Sequence, residues 1–245
     1  GVTTYTGNGG TNTIDCGFKP DLVAVKARSN AWDWGVFDVV RSTAGNVYDY
    51  LKFNDNGAQA TGGTTALQSY NTTGFTLGAD AAFNTNNATF VAYTWKAGGN
   101  KGTWNIDDVA YASAAAAGLD GGTIDPTASS IGIKQGFSIL KYTGNGSAGA
   151  TLAHGLTEAP QICIVKRTDG TEDWAVNIGL ISGTAGSYIK IEDGAQSTAA
   201  AAFNSTNPTS TLITLGDNAI TNGNTNTYIA YCWHNIVGVQ KFGTY

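Results

Sequence analysis

The chain has 245 residues, 13% of them charged, with 33 glycines, no methionine and a formal charge of −5. That length admits one large all-β domain or two smaller ones, each able to bury a core. The acidic balance, with no clustered Lys or Arg, excludes a nucleic-acid partner, and no apolar run reaches the roughly 18 residues of a membrane span.

In chain order, Gly1 to Tyr5 reads as a strand running into Tyr5-Thr-Gly-Asn-Gly9, where Asn-Gly suits a tight hairpin turn. The missing methionine and a start within a strand carry the expectation of a chain cut from a longer product. Cys16-Gly-Phe-Lys-Pro-Asp-Leu-Val-Ala-Val-Lys26 then places Pro20 at the entry to a buried strand, where a missing N–H costs nothing. Asp33-Trp-Gly-Val36 begins a second strand, and Tyr50 to Gln59 a third that ends in a glycine turn. Phe75-Thr-Leu-Gly78 leads through the Asn-rich loop 84–87 into Thr89-Phe-Val-Ala-Tyr-Thr-Trp-Lys96. That last strand alternates strictly, with Val91, Tyr93 and Trp95 on one face and Phe90, Ala92 and Thr94 on the other.

The whole series then recurs. Thr227-Tyr-Ile-Ala-Tyr-Cys-Trp-His234 repeats 89–96 at an offset of 138, and Asp173-Trp-Ala-Val176 repeats 33–36 at 140. A tandem duplication follows, each copy with seven or eight short strands at about ten-residue spacing. The expected fold is all-β: two jelly-roll-like β-sandwiches over residues 1–103 and 136–245, joined by a linker over 104–135. Within the linker, Asn105-Ile-Asp-Asp-Val-Ala-Tyr-Ala-Ser-Ala-Ala-Ala-Ala-Gly118 predicts a short helix, started by Asp107 and ended by Gly118. Ile236 to Tyr245 predicts a final strand.

Chemistry-bearing residues are few. His154 and His234 occupy non-equivalent places in the repeat, and neither has an oriented partner in sequence, so both read as structural. The three cysteines, Cys16, Cys163 and Cys232, read as free thiols rather than a disulfide framework. Asn54-Asp-Asn-Gly57 lacks the distal acidic ligand of a calcium loop and reads as a hairpin turn. Lys26 and Lys166 predict local pairs with Asp33 and Asp173. No catalytic, metal or cofactor constellation is expected. Trp34 and Trp174, equivalent in the repeat, suit a core. Trp32, which the second copy lacks, is the leading candidate for an exposed aromatic that stacks on a sugar, with Asn30 in the same loop. Asn86 and Asn224, in the Asn-rich loops before the central strands, are further candidate ligand-binding amides. Ala114, Ala117, Phe242 and Tyr245 are candidate contacts between subunits.

Several stretches together resemble a repeat domain of structural proteins from marine tailed phages. They are Gly17-Phe-Lys-Pro-Asp-Leu-Val23 with Lys26, Trp34 with Phe37-Asp-Val-Val-Arg41, Gly74-Phe-Thr-Leu-Gly78, Val91 to Gly98, the linker 105–118 and Lys241-Phe-Gly-Thr-Tyr245. The family continues upstream of this amino end. The resemblance implies a non-enzymatic virion protein on the particle surface, a tail-fibre or appendage component for host attachment. Capsid decoration and a carbohydrate-binding module are the alternatives. Implied partners are other virion proteins, further copies of the chain (a trimer, from the symmetry of fibres and capsids) and a host-surface glycan, with no nucleic acid and no membrane insertion.

Overall fold

The computed structural model describes residues 1–41, 49–99, 101–192, 194–198 and 200–243, and within these the chain is all-β. The first copy runs β1 (Val2–Thr6), β2 (Asn12–Asp15), β3 (Leu22–Ala27), β4 (Gly35–Asp38), β5 (Asp49–Tyr50) and β6 (Ala60–Thr61). It continues through β7 (Leu67–Tyr70), β8 (Gly74–Leu77), the single turn α1 (Ala81–Asn84) and β9 (Thr89–Trp95). One sheet has the order β1-β9-β3-β4 and the sheet opposite it β2-β8-β7. Phe90 and Ala92 of β9 meet Val23, Val25, Phe75 and Leu77 between them, so the face of β9 with smaller side chains builds the copy's own core. The result is an open β-sandwich, not a closed barrel.

Strands β10 (Trp104–Ile106), β11 (Val109–Tyr111) and β12 (Ala128–Gly132) follow. The second copy runs β13 (Phe137–Thr143), β14 (Ala150–Ala153), β15 (Ile162–Arg167), β16 (Ala175–Asn177), α2 (Gly179–Ser182) and β17 (Tyr188–Lys190). It closes with β18 (Gln196–Ser197), α3 (Ala200–Phe203), β19 (Leu212–Leu215) and β20 (Thr227–Trp233). Its large sheet, β11-β10-β12-β13-β20-β15-β16-β17-β18, repeats the first-copy order from β13 to β16 and faces the pair β14-β19.

The bulky faces of β9 and β20 join the copies. Leu22, Ala24, Val36, Ile139, Trp174, Ile229, Tyr231 and Trp233 form one buried cluster, with Tyr93 and Trp95 packed on it. Trp95 meets its own duplicate Trp233, ring centroids 6.1 Å apart. Equivalent residues meeting in this way is the mark of a twofold-like relation between the copies. Each large aromatic buried here contributes about 1.5–3 kcal/mol, which makes the interface a core in its own right. One polar tie crosses it as well: Asp21, which accepts from Ala97 N–H at 2.7 Å and Gly99 N–H at 3.1 Å within the first copy, also accepts from Ser130 Oγ at 3.2 Å.

Three expectations need correction. The predicted helix over 105–118 is mostly a hairpin, β10 to β11, turning on Asp107 and Asp108 at φ 46° and 66°. Asp tolerates this left-handed geometry, and β10 gains a parallel pairing with β12, which outweighs the propensity of a short Ala run. What remains helical is one turn over 113–118, where Ser113 Oγ accepts from Ala116 N–H and Gly118 closes the end at φ 69°. Leu119 N–H bonds back to Ala114 O at 2.9 Å and Gly118 N–H to Ala115 O at 3.0 Å, a Schellman ending. The segment 104–135 therefore extends the second sandwich instead of spacing the two apart. The expected last strand is instead a turn, bridged between Ile236 and Gln240 around Gly238 at φ 78°, with a tail that lays Phe242 on the inter-copy cluster. Finally, Asp33 and Asp173 pair with Lys52 and Lys190 at 2.8 and 2.7 Å, not with Lys26 and Lys166. Lys26 is drawn to Trp32 O, and Lys166 to Asn56 O and Arg167 O.

Candidate functional site: a cleft between the copies

The duplication builds the same small device twice. In the first copy, the N–H of Trp34 donates to Asn54 Oδ1 at 2.9 Å, and Asn54 Nδ2 donates to Asp33 at 2.7 Å. In the second, Trp174 N–H donates to Glu192 at 3.0 and 3.2 Å. Each tryptophan is thus pinned by the side chain two residues after the strand lysine, Lys52 or Lys190.

The two tryptophans nevertheless end up in different environments. Trp174 is fully buried: Phe53 covers it at 4.9 Å between ring centroids, and its Nε1–H donates to Lys52 O at 2.9 Å. The residue equivalent to Phe53 is Ile191, which is smaller and lies toward Trp34. Trp34 rests against Tyr93 at 5.9 Å and Phe53 at 5.8 Å, but stays half-buried. A cleft of about 450 Å³ remains, lined by Trp34, Phe53, Asn54, Ile164, Ile191 and Glu192. One aromatic-to-aliphatic difference at the pseudo-twofold opens it.

Its electrostatics are muted. Glu192 has its carboxyl pushed up, chiefly by burial. Burial pulls the Lys166 ammonium down to about 8. Hydrogen bonds from Lys52 and Lys190 hold Asp33 and Asp173 low, so these two carboxylates are committed to ion pairs, and the carboxylate that lines the cleft is Glu192. Among the described residues no three His, Cys, Asp or Glu side chains gather as metal ligands. An apolar floor edged by an amide and a carboxylate is suited to holding a ligand by stacking and hydrogen bonds.

The candidate residues read from sequence lie elsewhere. Trp32 stacks on Phe90 at 6.1 Å against the first copy's core and is half-buried. Asn30 is exposed beside it, bonded to Ser29 Oγ at 2.7 Å. Asn86 and Asn224 are exposed equivalents, each folded against the Asn-Gly turn of its own copy. Ala114 is buried in the second copy's core, and Ala117 packs at its margin. Phe242 packs on the inter-copy cluster, and Tyr245 lies outside the described residues. The neighbours Asn84 and Asn222 carry more structure than any of these. Asn222 is buried and its Nδ2 donates to Asn145 Oδ1, Ser147 O and Gly216 O, and Asn84 does the same for Asn8, Gly10 and Gly78. Replacing Asn222 by alanine is expected to cost about 1–3 kcal/mol, since the three groups it serves lose a partner together, and urea unfolding would measure it.

The cleft residues were missed although the repeat holds their signal: Tyr50-Leu-Lys-Phe-Asn54 against Tyr188-Ile-Lys-Ile-Glu192 differs at the positions that open and edge the cleft. A model of the family described as domain of unknown function (DUF7483) matches residues 1–245, and the chain belongs to that family. No curated protein matches the chain, and no solved structure does.

Proposed function

We propose that this chain is a non-enzymatic structural component of a tailed-phage particle, displayed on an appendage or tail fibre for attachment to the host surface. In this reading the cleft between the copies receives a neutral sugar of a host-surface glycan. The observation that carries it is the contrast between Trp174, sealed by Phe53, and Trp34, left half-open beside Asn54 and Glu192. The resemblance of the sequence to tailed-phage repeat domains supports the setting. Rigid stacked sheets with a sparsely charged surface suit wet, hydrogen-bonded contact rather than electrostatic capture.

Titration with polysaccharide isolated from the host envelope tests the ligand. Trp34→Ala is expected to weaken binding about tenfold or more, the worth of one stacked ring. Ile191→Phe should fill the cleft and do the same, while Trp32→Ala leaves affinity unchanged. Loss with Trp32 and not Trp34 would refute the cleft. Antibody-labelled electron microscopy tests the setting: label on tail structures supports attachment, and label over the head supports the second reading, capsid decoration. That second reading draws on the exposed valines Val237 and Val239 at the tail turn, which suit a protein surface better than a sugar.

A further inference from the structure

We propose that Cys163 and Cys232 are a dithiol built to close into a disulfide between β15 and β20, a reversible lock on the second sandwich. Nothing in their sequence spacing pairs these residues, and the register does: Cys163 stands directly opposite Cys232. Thr168 N–H bonds to Thr227 O at 2.8 Å, so the hydrogen-bonded pairs on this ladder are Thr168 with Thr227, Lys166 with Ile229 and Ile164 with Tyr231. Cys163 and Cys232 form the non-hydrogen-bonded pair next to the last of these. The other side of β20 agrees. Gly144 N–H bonds to Asn226 O at 2.8 Å and His234 N–H to Gly136 O at 3.0 Å, which turns the backbone groups of Cys232 to β13.

That phase is the one a disulfide needs. Non-hydrogen-bonded partners bring their Cα atoms to about 4.5 Å, inside the range of about 4.4–6.8 Å that a disulfide spans. Both side chains point to the same face, into the second copy's core with Leu140, Tyr142 and Val165, and both are fully buried. Burial, and after it a hydrogen bond with Cys232, push the Cys163 thiol well up. The pair belongs to the second copy alone, since Val23 and Thr94 stand opposite each other at the equivalent place in the first. Cys16, the third thiol, is occupied elsewhere, bonded to Phe18 O at 3.3 Å.

The oxidant is a low-molecular-weight disulfide such as oxidised glutathione. One cysteine thiolate attacks it, forming a mixed disulfide and releasing one reduced thiol. The second cysteine thiolate then attacks the protein sulfur of that bond, which closes the link and releases the other. The chain loses two hydrogens, and the oxidant becomes two thiols. Burial disfavours the thiolate and shields both sulfurs, so closure in the folded chain needs the sandwich to open, whereas closure during folding does not. A reducing compartment keeps the dithiol, and an oxidising one closes it. The link ties residues 163–232 into a loop, which narrows the unfolded ensemble and raises stability.

The test uses the full chain carrying Cys16→Ser, which leaves the pair as its only thiols. The chain is refolded from urea in oxidised glutathione, then alkylated in urea and weighed intact. Two alkyl groups on the reduced protein should fall to none on the oxidised one, with two hydrogens lost and Cys163 linked to Cys232 in the digest. The urea midpoint should rise by about 1 M and return with dithiothreitol. Adding Cys163→Val, which installs the first copy's residue, should preserve the fold and abolish both the mass loss and the dithiothreitol-sensitive midpoint. Two alkylated thiols after oxidation, lasting glutathione adducts at both cysteines, a link between chains, or a midpoint indifferent to dithiothreitol would each overturn the proposal.

Discussion

Asp38→Ala is expected to cost about 3–5 kcal/mol of folding stability, the scale for removing one partner of a buried ion pair. Asp38 lies at the end of β4, 1% exposed, and gathers donors from both copies. Val40 N–H at 3.0 Å, Arg41 N–H at 2.8 Å and Arg41 Nε at 2.6 Å come from the first. Tyr231 donates its hydroxyl at 2.6 Å from the centre of β20 in the second. Arg41 is itself buried and holds Val36 O through Nη2 at 2.6 Å. Without the carboxylate a full positive charge stays between the sheets, while the Tyr231 hydroxyl loses its acceptor. Denaturant unfolding measures the loss, and a midpoint within about 1 kcal/mol of wild type would show that water replaces the carboxylate. Tyr231→Phe removes one hydrogen bond and leaves the ion pair, so about 1–2 kcal/mol is expected. A double-mutant cycle between the two positions then isolates the coupling across the pseudo-twofold.

That pair illustrates how far the sequence could be read. Period-two alternation in 89–96 and 227–234 identified both central strands and both of their faces, because side-chain direction in a strand is local geometry. Which face looked inward was not legible. Phe90 and Ala92 fill the sandwich core, and the bulkier face with Tyr93 and Trp95 serves the junction between copies. Alternation says that two environments exist and is silent on which is which. Residues 105–118 failed for a related reason: Asp107-Asp108 serves a helix start or a hairpin turn equally well, and the parallel pairing of β10 with β12, distant in sequence, decides. The cleft was legible in principle. Phe53 against Ile191 is visible once the copies are aligned, but its meaning depends on the copies meeting about a twofold. Asp38 has no equivalent acid in the second copy, where Ile178 stands at its position and Asn177 pairs with Cys163 as Phe37 pairs with Val23.

Acidification should destabilise the protein through His154 before its exposed carboxylates titrate. His154 is wholly buried beneath the second sandwich, and both ring nitrogens are committed. Nδ1 accepts from Leu156 N–H at 3.1 Å, and Nε2 lies 3.1 Å from Thr209 O, so the neutral Nε2–H tautomer satisfies both contacts. A second proton on Nδ1 would face the Leu156 N–H. Burial, with a smaller repulsion from His234, pushes the pKa down to about 4 from the ordinary 6.5. Between those values the unfolded chain binds a proton that the folded chain refuses. Stability is therefore complete above about pH 6.5 and falls as pH drops toward 4, by about 3 kcal/mol over the window. Glu192 and Asp21, both raised chiefly by burial, act in the opposite sense, since the folded state holds their protons more firmly as pH falls. The diagnostic is thus a difference: His154→Gln should lower stability at pH 7.5, where one hydrogen bond is disturbed, and should flatten the slope between pH 6.5 and 4. Urea midpoints for both proteins at half-unit pH steps would show it. Parallel curves would mean that His154 gains a proton without cost, which the two committed nitrogens forbid unless the segment from 154 to 156 opens first.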